Sequence, residues 1–215
     1  MPSSETPNSV LHFGTDVDPN LRHNAAMRAL KVERDEMMRT KTEKRGLLLV
    51  HTGDGKGKST AAFGLIARAL GWNQRVGVVQ FIKGKWKTGE RQFFNRFPEQ
   101  VIFRAMGEGF TWETQDRERD ISAAKAAWEM AKEMIDDPTL NLVVLDELNI
   151  ALRYEYLDIA DVVATLRDRP ATKHVCITGR NARPELFEIA DLVTEMRLHK
   201  HPFDQNVKAQ RGIDF

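Results

Sequence analysis

A loop rich in glycine and lysine, set between an apolar run and a helix-forming run, constrains this chain most. It consists of Gly53, Asp54, Gly55, Lys56, Gly57, Lys58, Ser59 and Thr60. Glycines let backbone N–H groups approach an anion closely, and the helix start adds unpaired donors and a positive dipole end. The pattern predicts a loop that binds a nucleoside triphosphate, with Lys58 on the phosphates and the Ser59 hydroxyl on Mg²⁺.

The spacing of this loop differs from the usual pattern, in which four residues separate the first glycine from Gly-Lys-Ser/Thr. Here three residues separate Gly53 from Gly57. One interpretation is a harmless variant of an ordinary phosphate loop. The other is a loop reshaped to hold the triphosphate differently, and the motif alone leaves both open.

The rest of the chain alternates between strand and helix patterns. Apolar strand candidates lie at 47–52, 76–82, 101–106, 142–146 and 174–179, with a weaker one at 193–198. Helix candidates lie between them, at 61–70, 119–137, 157–167 and 184–190. Strands that are apolar at nearly every position are typical of a parallel sheet covered on both faces. The expected fold is α/β, a doubly wound, mostly parallel sheet of the P-loop (RecA-like) type.

Residues 1–45 differ in composition from residues 46–215, which form the predicted P-loop nucleotide-binding domain. The first 19 residues read as a flexible tail, and residues 21–45 are heavily charged with a thin apolar stripe. The favoured interpretation is a solvated, partly ordered arm, with a helix as the alternative.

A second signature is the run Leu142–Asp146 followed by Glu147. Apolar residues that lead into two carboxylates are typical of a Walker B strand, which presents oxygen ligands to a hard cation. Mg²⁺ is therefore expected between Ser59, one of these carboxylates and the phosphates. Whether Asp146 or Glu147 binds the metal directly is left open by the sequence.

Four further candidates follow the ends of predicted strands. They are Lys83, Phe110, Trp112 and Arg180. A lysine in such a place is usually only a solvated surface charge. An arginine there can pair with phosphate or with a carboxylate of the substrate. Exposed aromatic side chains indicate a ligand or partner unless they fold back onto the core, which is the simpler interpretation.

Composition excludes several classes of protein. The net charge is only +1, from 32 basic and 31 acidic residues, which argues against binding to nucleic acid or an anionic membrane. No apolar run approaches the ~20 residues of a membrane span, and the first 20 residues lack a secretory signal pattern. The single cysteine, Cys176, lies in an apolar run and is expected to be a buried thiol. A cytoplasmic protein is expected.

Six segments together resemble one family. They are TGDGKGKST at 52–60, VVQFIKG at 78–84, GFTWETQ at 109–115, VLDEL at 144–148, ITGR at 177–180 and FDQNVKAQRGIDF at 203–215. In this order and spacing they resemble the P-loop type of ATP:corrinoid adenosyltransferase, which acts on cob(I)yrinic acid a,c-diamide or cob(I)alamin. The resemblance runs from about residue 46 to the end, and more loosely through residues 24–45.

The resemblance implies a reaction in coenzyme B12 synthesis or salvage. The family transfers the 5′-deoxyadenosyl group of ATP to the Co(I) centre of a reduced corrinoid and releases tripolyphosphate. It seats ATP in the reverse direction along the loop, which gives the short spacing a meaning. Lys56, Lys58 and a Mg²⁺ or Mn²⁺ ion held by Ser59 and Glu147 would stabilise the leaving triphosphate.

The resemblance also assigns roles to other parts of the chain. Phe110 and Trp112 match aromatic residues that occupy the lower face of the corrinoid and expel its axial ligand. The amino-terminal helix would cover the corrinoid as a lid. An electron-donating flavoprotein and a homodimer are implied as partners. The preferred corrinoid, whether an early intermediate, cobinamide or cobalamin, is left open.

Two other functions fit the phosphate loop alone. A kinase or ATPase of ordinary orientation would yield ADP and would need a residue that activates the acceptor. A RecA-like module that binds nucleic acid would carry a basic stripe. The short loop and Phe110 and Trp112 argue against the first, and the near-neutral charge argues against the second.

Overall fold

The computed structural model describes residues 18–82, 88–105 and 116–214, and the chain divides into two units between Lys44 and Arg45. In the first unit, helix α1 runs from Pro19 to Arg39. Asp18 caps its start, because the Asp18 side chain accepts a hydrogen bond from the Asn20 N–H at 2.9 Å. Of the two alternatives for this arm, residues 19–39 have the helical one. The role of a lid stays a prediction.

The second unit contains a six-stranded sheet in which every strand pairing is parallel. The strands are β1 (Leu48–Thr52), β2 (Val76–Gln80), β3 (Val101–Ala105), β4 (Leu142–Asp146), β5 (His174–Thr178) and β6 (Leu192–Glu195). Their order across the sheet is β3-β2-β4-β5-β1-β6. The predicted fold class, a doubly wound parallel sheet, is confirmed.

Helices connect these strands and cover the sheet. They are α2 (Lys58–Gly71), α3 (Gly89–Phe94), α4 (Arg117–Asp136), α5 (Leu148–Arg153), α6 (Ile159–Asp168) and α7 (Pro184–Ile189), and a 3₁₀ turn follows at Pro202–Gln205. Val144 packs in a cluster with Ile66 of α2, whereas its neighbour Leu145 packs with Trp128 of α4. Because successive side chains of β4 enter opposite cores, the strand is apolar at nearly every position.

Four polar residues lie at or next to the ends of strands on the α2 side of the sheet. Gln80, Asp146 and Thr178 close β2, β4 and β5, and His51 lies one residue before the end of β1; all four are buried. Each lies two residues after an apolar residue of the cluster that packs against α2, so it points to the same face of the sheet. Since the carboxyl ends of parallel strands share one edge, this edge is where a ligand of such a sheet would bind.

The weak strand predicted at 193–198 differs from the observed β6, which ends at Glu195. The next residue, Met196, donates its N–H to the Thr52 carbonyl at 2.8 Å and accepts from the Gly55 N–H at 2.7 Å. The chain therefore leaves the sheet to pair with the phosphate loop. Burial raises the pKa of the Cys176 thiol to about 12, in agreement with a structural role. Within the described ranges, no helix is long and apolar enough to cross a membrane.

Candidate active site

The predicted phosphate loop joins β1 to α2 at the carboxyl edge of the sheet. Gly53 and Gly57 adopt left-handed conformations, with φ of 92° and 108°, which favour glycine. A Cβ atom added to Gly53 would lie 2.4 Å from the Met196 carbonyl oxygen, and one on Gly55 would lie 2.7 Å from that same oxygen. These glycines are therefore needed for packing of the chain after β6, in addition to the anion approach that the sequence predicted.

Gly53→Ala is expected to lower both the melting temperature and the affinity for ATP, because the methyl group clashes with backbone and the φ angle is strained. Gly64→Ala is the matched control, since Gly64 lies on the exposed side of α2 with open space around it. It should stabilise the protein by about 0.5–1 kcal/mol. Thermal unfolding and ATP titration measure both effects. Wild-type stability and ATP affinity in Gly53→Ala would contradict this account of the loop.

Lys58, the first residue of α2, is buried and points back into its own loop. Its Nζ donates to the carbonyl oxygens of Gly53 at 2.7 Å and Gly55 at 2.6 Å. Burial lowers the pKa of Lys58, while the nearby carboxylate of Glu147 raises it in part. An ammonium group held by neutral carbonyls is available to an anion that would pair with it more strongly. Ser59 and Thr60 follow it in the first turn of α2.

Lys56, the other lysine of the loop, contacts a residue that the sequence reasoning did not single out. Its Nζ lies 2.5 Å from Asp214 Oδ1, while Asp214 Oδ2 accepts from the Gln210 N–H at 2.9 Å. The hydrogen bond from Lys56 holds the pKa of Asp214 below its usual value. Lys56 is thus already ion-paired with Asp214, and a phosphate group would have to compete with the Asp214 carboxylate for it. No local pattern links residues 158 positions apart.

Asp146 is held by two side chains from neighbouring strands. Its Oδ2 accepts from Gln80 Nε2 and its Oδ1 accepts from Thr178 Oγ1, each at 2.7 Å. The residue is only 3% exposed. Both carboxylate oxygens are therefore engaged inside the protein, which makes Asp146 the less available of the two carboxylates for a cation.

Glu147 has a backbone conformation that is unusual for a residue with a side chain. Its φ is 62° and its ψ is 22°, in the left-handed region. Burial and the charge of Asp146 raise the pKa of Glu147 to about 7, and the charges of Lys58 and Arg180 act in the opposite direction. The carboxylate therefore lies within electrostatic reach of the loop lysine and of Arg180. Strained, partly buried titratable groups of this kind are concentrated at functional sites.

The groups that would hold a metal ion beside the phosphate loop are a carboxylate and a hydroxyl, both oxygen donors. Across residues 18–82, 88–105 and 116–214, no group of three or more His, Cys, Asp or Glu side chains could hold a metal ion. Mg²⁺ commonly uses one or two carboxylates, water and substrate phosphates. The Glu147 carboxylate and the Ser59 hydroxyl supply oxygen ligands of the type it prefers.

The structure brings together only part of the predicted site. Lys58, Glu147 and Arg180 interact electrostatically, and Asp54 and Lys56 also act on Lys58. Lys83, Phe110 and Trp112 lie outside the described residues. Sequence reasoning missed Thr178 and Gln80 as partners of Asp146, although both lie within two residues of the end of a predicted strand, which was the available signal.

Comparison with known proteins decides between the candidate functions. Residues 44–215 match the family model described as ATP:corrinoid adenosyltransferase BtuR/CobO/CobP. The chain belongs to this family. The membership confirms the predicted reaction, transfer of an adenosyl group from ATP to a corrinoid.

Individual relatives agree with the assignment to the adenosyltransferase family. The corrinoid adenosyltransferase of Pseudomonas aeruginosa is 56% identical over 194 residues, covering 90% of this chain and 96% of that protein. Corrinoid adenosyltransferase CobA of Salmonella typhimurium is 47% identical, covering 90% of this chain and 98% of that protein.

Among solved structures, the flagellar accessory protein FlaH from Methanocaldococcus jannaschii has a TM-score of 0.47 at 12% identity, covering 71% of each chain.

Proposed function

We propose that this adenosyltransferase binds ATP with the ribose C5′ atom directed at the corrinoid, and that it releases inorganic tripolyphosphate. The observation that carries the proposal is the family match over residues 44–215, which includes the shortened loop between Gly53 and Gly57. In the transfer, the electron pair of Co(I) forms a bond to C5′, and the C5′–O bond breaks. Its electron pair leaves with the triphosphate.

The chain's own contribution is alignment and charge stabilisation. The corrinoid substrate brings the nucleophile, so the reaction needs no protein base or covalent intermediate. The protein must hold cobalt, C5′ and the departing oxygen in line. Negative charge grows on the leaving triphosphate, and Lys58, Lys56, Arg180 and the N–H groups at the start of α2 are suited to stabilise it.

We assign the metal contact to Glu147 rather than to Asp146. Both oxygens of Asp146 are already hydrogen-bonded, whereas Glu147 lies near Lys58 and Arg180. Ser59 is the second proposed ligand. Bound Mg²⁺ would neutralise charge on the triphosphate, which makes it a better leaving group. Asp146 then acts on the metal site indirectly, through the network that holds Glu147.

Product analysis tests the proposal. With ATP, Mg²⁺ and chemically reduced cobalamin, the enzyme should yield adenosylcobalamin and tripolyphosphate in equal amounts, measured by absorbance and phosphorus NMR. A sample without the reductant serves as the control and should yield neither. Stoichiometric ADP and orthophosphate would contradict the proposed direction of ATP along the loop.

The family resemblance supports a separate role for Phe110 and Trp112 at the lower face of the corrinoid. An apolar surface there disfavours water and nitrogen ligands, which leaves four-coordinate Co(II) that is easier to reduce. Phe110→Ala and Trp112→Ala should therefore impair an assay that starts from Co(II) at least about tenfold more than one that starts from Co(I). Equal losses in the two assays would contradict this role. The flavoprotein donor, the homodimer and the cytoplasmic location stay predictions.

A further inference from the structure

We propose that Thr178 is a positioning residue that fixes Glu147 in the conformation needed to bind the metal–ATP complex. The proposal rests on the role proposed above for Glu147. Thr178 ends β5 and is fully buried. It lies 31 residues from Glu147 along the chain, and it reaches the turn after β4 through its hydroxyl group.

The hydroxyl of Thr178 contacts both acidic residues. It donates to Asp146 Oδ1 at 2.7 Å and accepts from the Glu147 N–H at 3.0 Å. A backbone N–H can only donate, so the Thr178 oxygen must accept from Glu147. The single proton of the hydroxyl is then left for Asp146 Oδ1.

Gln80 completes the arrangement from the other side of β4. It is in register with Asp146 across the β2–β4 pairing, and its Nε2 donates to Asp146 Oδ2 at 2.7 Å. With both oxygens held by side chains of adjacent strands, Asp146 is a fixed acceptor. Hydrogen bonds of this kind, buried and charge-assisted, are among the stronger ones in proteins. Asp146 therefore orients Thr178, and Thr178 orients the backbone of Glu147.

The backbone at Glu147 requires such support. A φ of 62° is disfavoured for glutamate, so the turn persists only where contacts stabilise it. A second hydrogen bond joins the start of α5 to the turn after β5, because Asn149 Nδ2 donates to the Gly179 carbonyl at 2.9 Å. Gly179 has a φ of 127°, and a Cβ atom there would lie 2.8 Å from Asn149 Cβ. The turns after β4 and β5 are thus in close contact beside the carboxylate of Glu147.

The test replaces Thr178 by residues that keep or lose its hydroxyl. Thr178→Val keeps the branched shape but removes both hydrogen bonds, whereas Thr178→Ser keeps the hydroxyl. Hydrogen exchange at the Glu147 amide, followed in the metal-free protein, should accelerate at least about tenfold in the valine variant and stay within about threefold in the serine variant. Mn²⁺ binding in the presence of ATP, measured by electron paramagnetic resonance, should weaken about 10- to 100-fold in the valine variant only.

Controls separate positioning from general loss of structure. Thr165→Val removes a half-buried hydroxyl from α6, a helix that supplies no residue to the hydrogen bonds among Asp146, Thr178 and Glu147, and should change neither readout. ATP binding without metal should change less than about twofold in Thr178→Val, since the loop is untouched. If the valine variant does not fold, Thr178→Ala repeats the comparison with serine.

The two readouts distinguish failure of this inference from failure of the proposed metal site. Unchanged exchange at the Glu147 amide in Thr178→Val would overturn the inference. Faster exchange without any Mn²⁺ binding by the wild-type protein would support the positioning role and overturn the proposed function of Glu147. Loss of Mn²⁺ binding in the serine variant as well as in valine would also overturn the inference, because the hydroxyl alone should suffice.

Discussion

Glu147→Gln should make the metal-free protein more stable at pH 8 while it lowers adenosyl transfer by at least about 100-fold. The activity falls because an amide is a much poorer ligand for Mg²⁺ than a carboxylate. The stability rises because the wild-type carboxylate is partly buried beside Asp146, where its charge is unfavourable without a metal. The substitution is therefore expected to change stability and activity in opposite directions.

The pH dependence follows from the direction of the pKa shift. The pKa of Glu147 is raised from 4.5 to about 7 in the folded protein, so the folded state binds this proton more tightly than the unfolded state. The stability that the folded protein gains from holding this proton is fully present below pH 4.5 and is lost as the pH rises to about 7. The loss above pH 7 is up to about 3 kcal/mol. Glutamine does not titrate, so the variant should lack this loss.

Thermal unfolding with a chelator, at pH 4.5 and pH 8, measures the effect. The melting temperatures of wild type and Glu147→Gln should diverge only at the higher pH. Glu185→Gln is the control, because Glu185 is ion-paired to Arg183 at 2.9 Å and its pKa is lowered rather than raised. That variant should gain no stability at pH 8. A Glu147→Gln protein that is less stable than wild type at pH 8 would contradict the proposed environment of the carboxylate.

The sequence predicted the central strands well because both faces of these strands are buried. β2, β4 and β5 lie between other strands and are covered on both faces, so nearly every residue is apolar and the pattern is unmistakable. The edge strand β6 was placed less well. Its residues are mostly exposed, and its end is set by hydrogen bonds between Met196 and the phosphate loop rather than by its own composition.

The sequence identifies the phosphate loop and the two carboxylates as candidates, since each is a local motif, but it does not give their hydrogen-bond partners. Their roles in the reaction stay predictions. The choice between Asp146 and Glu147 was not decidable, because it depends on Gln80 and Thr178, which are distant in sequence and converge only in the folded sheet. The contact between Lys56 and Asp214 was missed for the same reason.

The largest loss of activity with little change in substrate binding is expected for Lys58→Met. The variant keeps most of the volume of the side chain but removes the ammonium group that faces the loop carbonyls and Glu147. Removal of one such charge-stabilising donor typically costs about 2.7–4 kcal/mol, or a 10²- to 10³-fold loss in kcat. Because the negative charge on the triphosphate grows as the C5′–O bond breaks, kcat should fall more than KM for ATP rises.

Steady-state kinetics with Co(I) cobalamin and varied ATP test this expectation, with Lys132→Met as the control. Lys132 lies on α4, paired with Glu129 at 2.6 Å, and its loss should leave kcat unchanged. Fold and stability are checked by circular dichroism, because the variant also removes two hydrogen bonds inside the loop. If Lys58→Met raises KM for ATP and keeps kcat, Lys58 contributes only to ATP binding. The stabilisation of the leaving triphosphate must then come from Lys56, Arg180 and the N–H groups at the start of α2.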